Sequence, residues 1–461
     1  SIEPCVIHSI MEGHDSGSAA PTSSAEEDQI KEREHLEKVF STYRQYGTFA
    51  MAKRRGEESR FVALPTDQQS LLPPALQVGT EEYRERLTAW KDAAIRNQFF
   101  FDLILIHHGQ PHSQQQQQQT TTTAVTTAVP TTDNPSPPRA QGQHELASDE
   151  DTSKLTSVLK SLVRDWSSEG KVERQQAYGP IIDNIRTYLP NSATNSSNMS
   201  PAKRICVPGS GVGRLAFELY CLGHEVQGND FSTYMLLASD FVLNNGGQIA
   251  PVERPVNISP YLLESRNCHS FNDRTRSIQI PDVDPAQMID DCFSVAEDSE
   301  ENLRRQSSPP PPPDFSVAAG DFVGIYSHPK EAGTWDCVAS CFFLDACPNI
   351  IETLQVVLRM LKPGGLLINL GPLHFHWNGP PFRPDDKSLE EYRQRYSNLD
   401  DRYLSSIDMS WNDVRQVLLK MGFEILKDDL GIECHYTADR KSMMRTTYQC
   451  VSFVARKTND D

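Results

Sequence analysis

The chain has 461 residues, room for one large domain or two ordinary ones. Only 38% are hydrophobic, yet the apolar residues cluster between low-complexity stretches, so a packed core is available. Its 44 basic and 62 acidic residues give a net charge of −18, which argues against nucleic acid as a primary partner and suits solubility or a cationic or zwitterionic substrate.

In chain order, residues 1–25 are polar and read as a disordered N-terminus. A helical cap domain is expected over 26–190. Its helices run from Glu26 to Tyr46, Glu81 to His107, Leu155 to Trp166 and Ile181 to Leu189, with apolar residues near 3.6 spacing. A Gln- and Thr-rich stretch interrupts them at about 108–150 as an expected disordered insert. From about residue 200 to 461 the texture changes to short apolar runs alternating with helices, the pattern of a parallel sheet. The strands expected are Arg204–Val207, Glu225–Gly228, Ser316–Ala318, Cys337–Phe343 and Leu366–Leu370, followed by Phe423–Leu426 and Tyr448–Ala455 as an antiparallel pair at the sheet edge. A Pro-rich insert is expected over about 284–314. Ten cysteines include no CxxC pair, and Cys337, Cys341 and Cys347 lie on or just after an apolar run; they read as buried thiols rather than metal ligands. No apolar run approaches the ~18 residues of a membrane span, and the opening segment lacks a secretory pattern. The expectation is a reducing compartment, the cytoplasm and with it the nucleus.

The strongest local motif is Val207-Pro208-Gly209-Ser210-Gly211-Val212-Gly213-Arg214-Leu215, between a short strand and an amphipathic helix. Glycines there permit a tight turn and let a ligand approach the backbone, and amides at a helix start favour an electron-rich group. Asp230 lies 21 residues after Gly209, at the end of the next apolar run. That is where an acid meets ribose hydroxyls; Asp230 is also placed to cap the following helix, but the paired spacing favours ribose. The spacing is G-x-G-x-G, one residue short of the dinucleotide fingerprint and typical of class I methyltransferases, so an NAD-dependent reductase is disfavoured. Leu361-Lys362-Pro363-Gly364-Gly365-Leu366 has the form found before the fifth strand of that fold, and Ala319-Gly320-Asp321-Phe322 ends the third strand, where the acid and the next amide read adenine. These motifs together imply a Rossmann-like, seven-stranded α/β fold of the class I methyltransferases, with S-adenosylmethionine as cofactor.

Longer strings carry a more specific likeness: Val163-Arg164-Asp165-Trp166-Ser167, Gln227-Gly228-Asn229-Asp230-Phe231-Ser232, Pro281-Asp282-Val283-Asp284-Pro285, Cys341-Phe342-Phe343-Leu344-Asp345, Ile368-Asn369-Leu370-Gly371-Pro372-Leu373 and Ser442-Met443-Met444. They resemble the carnosine N-methyltransferase family from about Glu26 to Lys457, the two inserts excepted. The resemblance implies cofactor contacts at Ser161, Arg164, Gly209, Gly211, Asp230, Asp321, Phe322 and Cys341, with Arg164 gripping the methionine carboxylate. Ser161 stands where the family usually has Gln, and Asp230 where Glu is more usual. Implied substrate contacts are Phe343, Asp345, His376, Tyr436 and Tyr448, with Asp345 and His376 catalytic. Without the resemblance, Asp345 is equally a cap for the helix near Asn349, His376 a core histidine, and Tyr436 and Tyr448 ordinary packing. The activity implied is methylation of the imidazole Nδ1 of carnosine and related dipeptides to give anserine, by a homodimer without a metal. Two rivals stay open at this point: a methyltransferase for histidine in longer peptides or proteins, and a non-catalytic nucleotide-binding scaffold.

Overall fold

A computed structural model describes residues 23–110, 148–190, 202–244, 256–293, 312–376, 380–399 and 401–458. The chain divides into two compact units: one holds the described parts of Asp15–Lys160 and Ile249–Gln279, the other those of Ser161–Gln248 and Ile280–Asp461.

The first unit is helical. Helix α1 (Ser23–Val62) packs on α2 (Glu81–His107), whose start is capped by the Thr80 side chain accepting from the Tyr83 amide. Val39, Phe40, Tyr43, Tyr46, Trp90, Phe100, Phe101 and Ile104 form its buried centre. A short pair of strands, Val256–Ile258 and Ile278–Ile280, completes it, and Asn97 on α2 bonds both the amide and the carbonyl of Ser259.

Helix α3 (Asp149–Trp166) opens in this unit and closes in the second, which continues with α4 (Lys171–Tyr188). The second unit is built on a seven-stranded sheet: β1 (Arg204–Pro208), β2 (Glu225–Asp230), β3 (Phe315–Ala319), β4 (Trp335–Cys341), β5 (Leu361–Gly371), β6 (Phe423–His435) and β7 (Thr447–Lys457). Their spatial order is β3-β2-β1-β4-β5-β7-β6, the first five parallel, with β7 antiparallel to both β5 and β6. This is the class I methyltransferase fold expected from the motifs, and the late antiparallel pair lies where the sequence put it. Covered parallel strands need continuous apolar runs; Cys337, Val338, Ala339 and Ser340 of β4 are accordingly all buried. One face is closed by helices Ile350–Met360 and Trp411–Lys420, whose Ile350, Leu354, Val357, Val414 and Leu418 join a core with Trp335, Leu367 and Phe453.

Several expected boundaries move. The cap was expected to run to residue 190, but the last turn of α3 and all of α4 belong to the sheet unit. Polar bonds explain this: Trp166 donates its indole N–H to the Val212 carbonyl at 2.8 Å, and Arg214 donates to the Asp165 carbonyl and the Asp282 carboxylate. Of the expected disordered N-terminus only Ser23 to Ala25 is described, and it is the start of α1. The two inserts lie largely outside the described residues, but their edges are ordered helices with legible caps. Ser148 accepts from the Asp151 amide, and Asp284 accepts from Ala286 ahead of helix Pro285–Phe293. Helix α4 starts ten residues earlier than expected because Pro180 is accommodated inside it. No helix among the described residues is long and apolar enough to cross a membrane.

Candidate functional site

Sheet order reverses between β1 and β4, the crevice where open α/β sheets present ligands. Two loops meet there. After β1, Gly209, Gly211 and Gly213 all adopt left-handed backbone, with φ of 63°, 56° and 83°. A Cβ on Gly209 would meet Phe343 Cδ2 at 2.9 Å, and one on Gly213 would meet Ser239 Oγ at 2.7 Å. The first glycine therefore admits the loop after β4, and the third lets helix Thr233–Asn244, which carries Ser239, pack close. Three of the loop's amides are already taken: Ser210 donates to the Asn229 carbonyl, Gly213 to the Ser210 carbonyl and Gly211 to Asp230 Oδ2. The turn offers close approach more than spare donors.

Asp230 is held at the end of β2 by two backbone amides. Its Oδ2 accepts from Gly211 and its Oδ1 from Ser232, each at 2.8 Å, so it ties the glycine loop to the helix that follows β2. Burial pushes its carboxyl pKa up, against the pull of the Ser232, Gly211 and Phe231 amides. Asp321 caps the short helix Phe322–Tyr326 through the Gly324 amide and pairs with Arg402 at 2.6 Å. Nothing in the sequence near Asp321 pointed to that arginine. Phe322 is buried, edge-on to Phe343 at 5.3 Å between ring centres.

Arg164, in the last turn of α3, lies beside the glycine loop: its Nη2 is 3.8 Å from where a Gly211 Cβ would stand. Nε and Nη2 form a two-pronged pair with Asp165 at 2.7 and 2.8 Å, and Tyr178 on α4 donates its hydroxyl to the same carboxylate. Burial works against the guanidinium charge, but Asp165, Tyr178 and Tyr436 together outweigh it and raise the pKa well above the ordinary arginine value. One edge of the guanidinium is thus committed, while Nη1 makes no hydrogen bond among the described residues. Asp165 and Tyr178, which fix Arg164, were not singled out from the sequence, although Asp165 stands inside one of its family strings. Ser161, one turn earlier, is buried; Cys341 ends β4, half-buried, with burial raising its thiol pKa. Cys337 and Cys347 are buried free thiols.

Beyond β4 and β5 the expected substrate residues come together. Asp345, only 3% exposed, lies in the short turn Leu344–Ala346, and its Oδ2 accepts from the His374 amide at 3.0 Å. Burial raises its pKa, opposed by that amide and by the nearby His376 and His374 rings. It does not cap the next helix, because Asn349 does. His376 is exposed, not a core histidine, with its ring centre 6.0 Å from that of His374. Tyr436, just past β6, stacks on Phe342 at 5.0 Å, and the Arg164 guanidinium lies over the Tyr436 ring, 5.4 Å from its centre. Tyr448 on β7 meets Phe342 edge-on at 5.9 Å and lies 6.2 Å from His374. Phe342 and His374 thus join the cluster; the sequence reading had passed over both in favour of their neighbours Phe343 and His376. Phe343 itself faces the glycine loop rather than the tyrosines.

With this geometry in place, comparison with known proteins is informative. The family described as carnosine N-methyltransferase matches residues 141–459. A curated carnosine N-methyltransferase of Rattus norvegicus is 34% identical over 446 residues, 96% of this chain and 92% of its own length. One from Drosophila melanogaster is 29% identical, covering 93% of this chain and 80% of its own. One from Schizosaccharomyces pombe is 33% identical over 66% of this chain and 70% of its own.

Proposed function

The chain belongs to the carnosine N-methyltransferase family, and from that premise we propose that it methylates the imidazole Nδ1 of carnosine and related histidine dipeptides, using S-adenosylmethionine and yielding anserine and S-adenosylhomocysteine. The observation that carries this reading is the meeting of two loops at the sheet's reversal point. A glycine turn with a buried acid and a half-buried arginine stands against the loop that carries Asp345 and Phe342, and Phe343 of that loop meets the glycine turn.

The residues fit the cofactor on their own chemistry. The left-handed glycines keep the turn's backbone bare, with Gly211 open beside Arg164, Asp230 brings an acid to the end of β2, and Arg164 has donors remaining beyond its pair with Asp165. When bound, S-adenosylmethionine supplies an electrophilic methyl group on a sulfonium. Arg164 would hold the tail carboxylate, Asp230 the ribose hydroxyls, and Gly209, Gly211, Phe322 and Cys341 would line the nucleoside. Asp321 is already engaged by Arg402, so its adenine contact requires sharing that carboxylate.

Neutral imidazole has one protonated nitrogen and one free lone pair, and its pKa of ~6.5 leaves it unprotonated at pH 7. Asp345, accepting the Nε2–H, selects the tautomer whose Nδ1 carries the lone pair and stabilises the positive charge that builds on the ring. His376 steadies the ring from the β5 side. Tyr436, Tyr448 and Phe342 supply aromatic faces that attract the cation formed.

Labelled S-adenosylmethionine is incubated with carnosine, a related dipeptide, free histidine and a histidine-bearing decapeptide, and products are read by mass and by the position of the new methyl. Label on Nδ1 of the dipeptides supports the proposal; label on the decapeptide alone, or none, overturns it. Nine free cysteines among the described residues favour a reducing compartment, and we take the cytoplasm as the site of action. A homodimer accompanies the resemblance, and sedimentation would read it.

A further inference from the structure

We infer that Glu173 is a positioning residue for the dipeptide: from α4 it clamps the turn that carries Tyr436 and so sets that ring against Phe342 and Arg164. The inference rests on the proposed reading of Tyr436 as a substrate contact.

Glu173 lies in the first turn of α4 and is 7% exposed. Its two carboxylate oxygens accept consecutive amides, Thr437 on Oε1 and Ala438 on Oε2. Thr437 has a φ of 46°, a left-handed conformation that a β-branched residue adopts only when its surroundings enforce it. A carboxylate receiving two adjacent amides, one on each oxygen, is such an enforcement, because charge-assisted bonds are the strong ones. Burial itself gives Tyr436 little hold, since it is 38% exposed, and Met443 and Met444 further along the same link are 65% and 62% exposed. Further support comes from α4: Gln176 accepts from the His435 amide with its side chain and from the Cys434 thiol with its carbonyl. The helix therefore holds the end of β6 along one face, and Glu173 holds the residue just beyond Tyr436.

Glu173 also lies within electrostatic reach of Arg164, so a simple counter-charge role must be separated from positioning. The former alters cofactor binding; the latter alters carnosine KM. Glu173→Gln keeps the shape but leaves one amide without an acceptor. It should raise carnosine KM about tenfold, with kcat and the calorimetric Kd for S-adenosylmethionine within about twofold of the parent. Tyr436→Ala should raise carnosine KM at least as far, and the double variant should raise KM no further than the larger single effect, because both act through one ring. An unchanged KM in Glu173→Gln beside a raised KM in Tyr436→Ala overturns the positioning role while the substrate reading stands. An unchanged KM in Tyr436→Ala removes that contact from the substrate reading and the inference with it. A weakened cofactor Kd with KM intact assigns Glu173 to counter-charge and overturns the inference. Should Glu173→Gln not fold, Glu173→Asp retracts the carboxylate by about one C–C bond, ~1.5 Å. It should raise KM by a smaller factor; no rise overturns the inference.

Discussion

Replacing Asp345 with Asn separates charge from shape at the centre of the proposed chemistry. The amide keeps an oxygen to accept the His374 amide, now at 3.0 Å, and fits the same buried space. What disappears is the negative charge facing the imidazole as it becomes cationic. A unit pair about 4 Å apart at an effective dielectric of about 20 interacts by about 4 kcal/mol, an upper bound for the loss. A hydrogen bond to a charged group contributes about 1.5–3 kcal/mol net. Taking about 2.7 kcal/mol, turnover should fall about a hundredfold. The assay is initial rate at saturating S-adenosylmethionine over a range of carnosine, with cofactor Kd by calorimetry as the control, which should not move. The pH profile adds a signed check. Burial raises the Asp345 pKa, with the His374 amide and the His376 and His374 rings pulling it back. The ionised form is the working one, so activity is lost as pH falls through that raised pKa, on top of the loss from protonating the substrate ring; Asn should abolish the first loss only. Because an acid with a raised folded pKa costs stability once ionised, the Asn variant should melt no lower than the parent at pH 8. Turnover within about threefold of the parent, with cofactor binding intact, would refute the role of this charge.

Gly209→Ala puts a Cβ 2.9 Å from Phe343 at a φ of 63°; strain of about 1–2 kcal/mol plus the clash should weaken S-adenosylmethionine binding at least tenfold by calorimetry, and unchanged affinity would show that the loop is not the cradle. Arg164→Lys loses the two-pronged pair with Asp165 and should raise the cofactor Kd about tenfold, with a smaller effect on carnosine KM. Tyr448→Phe should raise carnosine KM a few-fold with kcat unchanged if the hydroxyl only positions the dipeptide, and a pure kcat loss in steady-state assays would contradict that.

The sheet was legible because its signals are local. Period, glycine spacing and the Pro363-Gly364-Gly365 turn each speak about a few consecutive residues, and all seven strands were found, though β6 runs nine residues beyond its expected end at Leu426. Its continuation carries Asp428, Asp429 and Glu433, polar residues that an edge strand tolerates, and Gly431 at a register shift. Asp345, Tyr436 and Tyr448 came from resemblance alone, since 91 residues and two strands separate the first two. Residues that act by holding others were not assigned that role from the sequence, although Asp165 stands inside a family string. Asp165 fixes Arg164, Glu173 fixes the turn after Tyr436, and Arg402 engages Asp321; each pairing is between segments whose separation in sequence is either trivial or very large.

One backbone feature unites the substrate side of the site. Four described residues other than glycine have positive φ, and three of them flank expected substrate contacts: Phe342 at 53° beside Phe343, Phe375 at 45° between His374 and His376, and Thr437 at 46° after Tyr436. Each such residue costs about 1–2 kcal/mol relative to an ordinary conformation, so all three persist only because surrounding bonds impose them. Those bonds are identifiable for two: the Phe342 amide donates to the Leu370 carbonyl at 2.9 Å, and Glu173 takes the Thr437 amide. Strain of this kind gathers where side chains must be aimed more strictly than folding alone requires. In the glycine loop the left-handed turns are free of that cost, because the contact needed there is made by backbone. Where rings and a carboxylate must surround an imidazole, side chains are indispensable and glycine cannot serve, so the chain accepts strain instead.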